Sequence, residues 1–259
     1  MSLTGLILFK MKSSIIFLGF GFIALVIVLN SCDKEGKSIS QKGLVAYYTF
    51  TGGHAYDVSG NGNHGVISGA KPSYDSYSRP NESFHFIGES DYLLVNHPNF
   101  LDNNVGTLAA WVKFDNLDHI QYVASVGDDN SIESYLSFVR LDPSSRTLGI
   151  YQREPGLQNW VNGTTVISPD IYYHVAVTSD GLKWSLYING IKEELVVKSG
   201  SNNGKWISDL SSIDNFVIGN LIIKEPYVVP YLSGNIDEVL LYNRTLSENS
   251  IKYIFSLGK

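Results

Sequence analysis

From Gly43 onward the chain alternates short β-rich runs with clusters of Gly, Asn, Asp and Ser, and this punctuation constrains the fold more than any other feature. The runs are Leu44–Phe50, Ser83–Phe86, Tyr92–Val95, Gly106–Phe114, Tyr122–Val126, Tyr135–Arg140, Thr147–Tyr151, Tyr172–Ser179, Trp184–Ile188, Asn215–Ile218 and Asn235–Tyr242. Several alternate with period two, as in Leu108, Ala110, Val112 and Phe114, or Trp184, Leu186 and Ile188, which marks one buried face. Asp180-Gly181 and Asn189-Gly190 are strong turn signals framing Trp184–Ile188 as one arm of a meander. Many short strands between turn signals predict an all-β fold: an antiparallel two-sheet jelly-roll sandwich, with a short helical turn at the C-terminus. With 16 Tyr against 2 Met the composition agrees, and no shift in composition or long-period repeat divides residues 43–259.

The N-terminus is of another kind. Lys10 and Lys12 precede an almost uninterrupted apolar run, Ile15–Leu29, too short to span a bilayer and suited to the apolar region of an export signal. Met11 supplies an alternative start, because Met11-Lys12 already provides a basic n-region. Leu29-Asn30-Ser31-Cys32 then resembles a bacterial lipobox, and Cys32 is the only cysteine of the chain. The resemblance implies that residues 1–31 are removed, that Cys32 is lipidated, and that the polar stretch 32–42 tethers the domain to a membrane. Its acidic start resembles surface-exposed lipoproteins of the Bacteroidetes type, which implies a bacterial envelope location as an outer-membrane lipoprotein. A lone cysteine excludes a disulfide framework. The net charge is −6, and residues 1–31 hold two lysines and no acid, so the remainder is more acidic still. That balance argues against a nucleic-acid partner and favours neutral ligands and cations.

Specific stretches carry a family resemblance. Gly43–Phe50 (GLVAYYTF), Asp57–Gly65 (DVSGNGNHG), Gly106–Lys113 (GTLAAWVK), Tyr172–Gly190 (YYHVAVTSDGLKWSLYING) and Gly234–Ser247 (GNIDEVLLYNRTLS) resemble, in order, the laminin G-like jelly-roll domains of the concanavalin A-like lectin and glucanase group. The family's usual Phe-Asp-Gly stands here as Phe86-Ile87-Gly88, without the acid. The resemblance implies two antiparallel sheets with the first and last strands adjacent, often with a calcium ion near them.

In Asp57-Val58-Ser59-Gly60-Asn61-Gly62-Asn63, side-chain oxygens recur at positions 1, 3 and 5 and a glycine occupies the sixth. This is the front half of an EF-hand-like calcium loop, with the Asn63 carbonyl at the seventh position. The twelfth is Ser68 rather than Glu, so a second carboxylate must come from elsewhere. The resemblance implies Asp237, on the last strand, which gives a calcium set of Asp57, Ser59, Asn61, Asn63 and Asp237. The competing reading is a Gly/Asn turn in which Asp57 caps its own backbone. The histidines, at 54, 64, 85, 97, 119 and 174, show no metal-ligand spacing.

Retaining glucanases of this fold carry Glu-x-Asp-x-x-Glu on one strand, with carboxylates about 5 Å apart. Glu89-Ser90-Asp91 begins it, but Leu94 stands in place of the second Glu. Glu193-Glu194, Asp128-Asp129 and Asp237-Glu238 are adjacent, and strict strand alternation sends such pairs to opposite faces. No Gly-x-Ser-x-Gly elbow or Walker loop is present. No catalytic residue is assigned. The expectation is a non-catalytic recognition module for glycan or glycoprotein; the alternatives are a hydrolase with an unrecognised site and a protein-binding adhesion module. Loop aromatics available for stacking are Tyr74, Tyr77, Tyr151, Trp160 and Trp206, with Gln158 and Asn159 beside Trp160, while Trp111 and Trp184 are expected in the core.

Overall fold

A computed structural model describes residues 39–87, 90–96, 98–224 and 231–258; the export signal, Cys32 and the tether as far as residue 38 lie outside them. The strands in chain order are β1 (Leu44–Tyr48), β2 (Val66–Ser68), β3 (Lys71–Ser73), β4 (Ser83–Phe86), β5 (Tyr92–Asn96), β6 (Gly106–Phe114), β7 (Gln121–Gly127) and β8 (Tyr135–Asp142). They continue with β9 (Thr147–Glu154), β10 (Leu157–Asn162), β11 (Tyr172–Ser179), β12 (Trp184–Ile188), β13 (Ile191–Lys192), β14 (Val196–Ser199), β15 (Asn215–Ile218) and β16 (Gly234–Tyr242). The C-terminal turn is a full helix, α1 (Glu248–Leu257), capped by Ser247, whose hydroxyl accepts the Ser250 N–H at 3.2 Å.

Two antiparallel sheets form a sandwich, as the alternation predicts. The first runs β13-β12-β11-β6-β16-β4-β3 and the second β14-β10-β9-β8-β7-β15-β5-β2. Leu108, Ala110, Val112 and Phe114 of β6 enter the shared core, where they join Phe84, Phe86, Val175 and Leu186 against Phe138, Ile150, Val161 and Phe216 of the second sheet. Thr107, Ala109, Trp111 and Lys113 alternate to the outer face of β6, where Trp111 lies under α1 with its ring 5.6 Å from Phe255. The Asn189-Gly190 turn joins β12 to β13 as a two-residue hairpin between Ile188 and Ile191, both turn residues having positive φ.

The first and last strands are adjacent, as the family resemblance implies. β16 lies along β6 on one side; on the other it pairs with β4 through Gly234–Ile236 and with β1 through Val239–Tyr242. The changeover falls at Asp237 and Glu238, where a bulge places Glu238 at φ 51°.

Candidate functional site

The Asp57 loop folds back on β1. One carboxylate oxygen of Asp57 accepts the N–H groups of Tyr47 at 3.0 Å and Ser59 at 2.9 Å, and the other accepts the Asn63 N–H at 3.0 Å. Burial pushes this carboxyl up, but hydrogen bonds from Ser59 and from those three N–H groups outweigh it and hold the pKa below its ordinary value. Ser59, Asn61 and Asn63 gather round the same strand: the Asn61 amide donates to the Leu44 carbonyl at 3.0 Å and the Asn63 amide to the Val45 carbonyl at 2.8 Å. The Asn63 carbonyl accepts the Tyr48 hydroxyl at 2.6 Å. Asn99, which the spacing does not signal, joins through bonds to Asn61 and Asn63.

Asp237 shares none of these hydrogen bonds. It sits at the β16 bulge, 4 % exposed, where its carboxylate accepts the Glu238 N–H at 2.7 Å. Burial, then the charges of Glu238 and Asp75, push its pKa up to about 8 against the partial relief of Arg79. Glu238 is also raised, by burial above all, while its carboxylate accepts the Tyr47 hydroxyl. Strict alternation would separate these adjacent acids; the positive φ of Glu238 instead leaves both feeling Asp75 and Arg79. As a cation site the Asp57 loop therefore fits in part. Its residues gather at one place, yet its one carboxylate already has three N–H donors, Asn61 and Asn63 turn their amide nitrogens to the Leu44 and Val45 carbonyls, and Asp237 belongs to a second hydrogen-bond set.

A third grouping lies between neighbouring strands. Asp128 and Asp129 follow β7 and Asp214 precedes β15, and one carboxylate oxygen from each lies within 4.8 Å of the others. Asp214 is pushed up by burial and by its hydrogen bond and charge contact with Asp129.

The outer face of the second sheet carries an aromatic grouping separate from the core. Tyr122, Tyr135, Tyr151, Leu221 and Ile223 form a separate buried cluster, with Ile120 and Trp160 packed against it. Rings run across three strands: Tyr135 stacks on Tyr151 at 5.6 Å, and Tyr151 meets Trp160 at 6.4 Å. The Trp160 indole donates to Asn162 at 2.6 Å, and Asn162 donates in turn to Asp142 at 2.9 Å. Arg140 lies over the rings of Trp160 and Tyr151. The segment after β15 crosses one side of this face, its Asn220 carbonyl accepting the Ser125 hydroxyl at 2.7 Å. Gly127 makes that crossing possible: a Cβ there would stand 2.4 Å from the Ile222 carbonyl oxygen.

Comparison with known proteins agrees with this architecture. The profile of the concanavalin A-like lectin/glucanases superfamily (Laminin_G_3) matches residues 87–252. The chain belongs to this family. Among solved structures, the CBM40 module of Ruminococcus gnavus IT-sialidase bound to α2,3 sialyllactose is 17% identical, with TM-score 0.54, over 74% of this chain and 96% of that one. Domain 4 of AbnA, a GH43 extracellular arabinanase from Geobacillus stearothermophilus in complex with arabinotriose, is 16% identical, with TM-score 0.63, over 85% of this chain and all of that one. Trypanosoma rangeli sialidase with 2,3-difluorosialic acid is 20% identical, with TM-score 0.60, over 82% of this chain but 33% of the sialidase. A comparison with curated proteins finds no match.

Against this concanavalin A-like frame the aromatic candidates divide. Tyr151 and Trp160 stand together, on strands β9 and β10 rather than on loops. Trp206 is fully buried, its ring 4.8 Å from Phe138, so it is a core residue and not a stacking platform. Asn159 is enclosed as well, donating to Gln152 at 3.0 Å, whereas Gln158 is exposed. Tyr74 and Tyr77 are exposed on a different loop, near Arg79. Trp184 is in the core as expected; Trp111 is buried beneath α1 on the outer side of its sheet. Tyr122, Tyr135 and Arg140 were not signalled as a site, although period-two alternation from the core residues Leu136 and Phe138 places Tyr135 and Ser137 on the outer face.

Proposed function

We propose that this domain is an exported, lipid-anchored, non-catalytic recognition module that binds glycan on the outer face of the second sheet. The observation that carries the reading is the row of rings Tyr135, Tyr151 and Trp160 across adjacent strands, of which Trp160 is half-buried and the two tyrosines are enclosed behind it in the row, bordered by Asn162 and Arg140. Sugars present one apolar ring face and a rim of hydroxyls, so flat aromatics beside amides and charged donors suit them. The relatives named above include modules bound to oligosaccharides, which supports the same ligand class. Absence of catalysis rests on the missing Glu-x-Asp-x-x-Glu spacing, which leaves no carboxylate pair of the retaining type on one strand. Calcium stays in the proposal as a structural ion, with Asp57, Ser59, Asn61 and Asn63 as the residues that would hold it and Asp237, from its separate hydrogen-bond set, as the second carboxylate. Cys32 and residues 1–31 supply the anchor and the export signal, which puts the domain at a bacterial outer membrane.

The test is a glycan array with the wild-type protein and with Tyr151→Ala and Trp160→Ala. Selective binding that both substitutions abolish, with melting curves still cooperative, supports the reading; binding untouched by either overturns the choice of face. Reducing-sugar release from polysaccharides is expected to be nil. Turnover that disappears in Asp237→Asn would instead make the domain a hydrolase centred on the Asp237 and Glu238 pair. Capture of a protein lacking glycans, with a blank array, would favour the adhesion alternative.

A further inference from the structure

The aromatic face holds one group that its rings do not account for. Arg140 is 8 % exposed, with its guanidinium carbon 4.6 Å from the centre of the Trp160 ring and 5.3 Å from that of Tyr151. Other arginines find oxygens: Arg79 pairs with Asp75 at 2.6 Å, Arg153 with Glu133 at 3.2 Å, and Arg244 donates to the Lys42 carbonyl at 2.6 Å. Arg140 has no ion pair among the described residues, and its Nη1 is buried without a hydrogen-bond partner. Asp142, two residues along the same face, accepts from Ser144, Ser145 and Asn162 and feels Arg140 as a nearby charge without pairing with it.

An enclosed guanidinium demands acceptors, because it gives up hydration that two ring faces restore only in part. The register locates the unmet demand. Arg140 stands opposite Tyr122 on β7, while Ser137, whose buried hydroxyl also lacks a partner, stands opposite Tyr151 on β9. A cationic fork and a spare hydroxyl thus share one face with a row of rings. Neutral sugars would meet the rings and the hydroxyl but not the charge.

We infer that the ligand of this face is an acidic saccharide, whose carboxylate is met by Arg140 while its ring packs on the neighbouring aromatics. This rests on the glycan reading above and narrows it to carboxylate-bearing sugars. The planar fork of arginine matches a carboxylate with two parallel hydrogen bonds, and in a site with little water such a contact is stronger than a neutral one.

Titration calorimetry on the full chain in detergent tests the inference with paired probes: oligogalacturonate against its methyl ester, and sialyllactose against lactose. The acid of at least one pair is expected to bind about tenfold more tightly than its neutral partner, and the preference should shrink as salt rises. Arg140→Met keeps the apolar stem and should erase the preference, while Arg140→Lys should keep part of it. Equal affinity for acid and neutral partners, or a preference that survives Arg140→Met, overturns the inference and leaves glycan recognition standing. If no member of either pair binds and the array is also blank, the glycan reading itself falls, and this inference with it. The wild-type comparison of acid with ester needs no variant, so a poorly folding Arg140→Met does not blunt the test.

Discussion

Replacing Asp237 with asparagine removes one ionisation and almost no volume from the β16 bulge. The folded carboxyl titrates at about 8, against an ordinary value of 3.8, so between those values the folded chain holds a proton that the unfolded chain has lost. The stability this group contributes is therefore complete below pH 3.8 and is lost as pH rises through 8. His174 works in the opposite direction: burial lowers it from 6.5 to about 4, so it removes stability only as pH falls below 6.5. The window from pH 6.5 to 8 thus excludes His174, and the comparison with Asp237→Asn separates Asp237 from the other raised carboxyls, Glu238 and Asp214. There the wild type should lose up to about 2 kcal/mol, at ~1.4 kcal/mol per pH unit, a fall in Tm of roughly 4–8 °C for a domain of this size. Asp237→Asn should flatten this slope and melt above wild type at pH 8, in thermal unfolding followed by circular dichroism with chelator present. A bound calcium at Asp237 would keep the carboxylate ionised in the fold, so added calcium should remove the wild-type slope as well. A variant that keeps the full wild-type slope, or melts below wild type at pH 8, would refute the reasoning.

Calcium at about 100 times its dissociation constant should stabilise the native state by about 2.7 kcal/mol. Asp57→Ala should abolish that gain, whereas abolition by Asp214→Asn alone would move the ion to the Asp128, Asp129 and Asp214 grouping; identical melting of wild type in calcium and in chelator would remove calcium altogether. Trp206→Ala empties a fully buried site against Phe138, and chemical denaturation should register a loss of about 3–5 kcal/mol. Cys32→Ala should shift the protein from the membrane fraction to the soluble one and abolish incorporation of a metabolic lipid label; unchanged fractionation with label still incorporated would end the lipobox assignment.

The strands were legible because their pattern is local. Gly106–Phe114, Tyr172–Ser179, Trp184–Ile188 and Asn215–Ile218 are apolar β-rich runs bounded by turn residues, and their ends coincide with those read from the residues. The strands that escaped are Val66–Ser68, Lys71–Ser73, Leu157–Asn162, Ile191–Lys192 and Val196–Ser199. Most are short edge segments with exposed side chains, held by backbone pairing to a neighbour and not by a buried stripe. The Asp57 loop was legible as a local motif, since Asp57, Ser59, Asn61 and Asn63 do assemble there. The proximity of Asp237 and Glu238 was not, because it depends on a bulge that alternation does not foresee. Nor was the aromatic face, whose members come from β7, β8, β9 and β10 and from the segment after β15, and meet only through sheet register.

The placement of β16 has a kinetic side. Tyr47 and Glu238, joined by a hydrogen bond, are 191 residues apart in the chain, and β1, β4 and β6 each keep one edge unpaired until this late segment joins them. Closing so long a loop comes before any reward from the pairing, which makes sheet closure slow. During synthesis those three strands emerge with open edges and stay so until Tyr242 is made. A sheet whose central seam is a late strand cannot close until residues 234–242 reach it, so its two halves wait on a single distant segment.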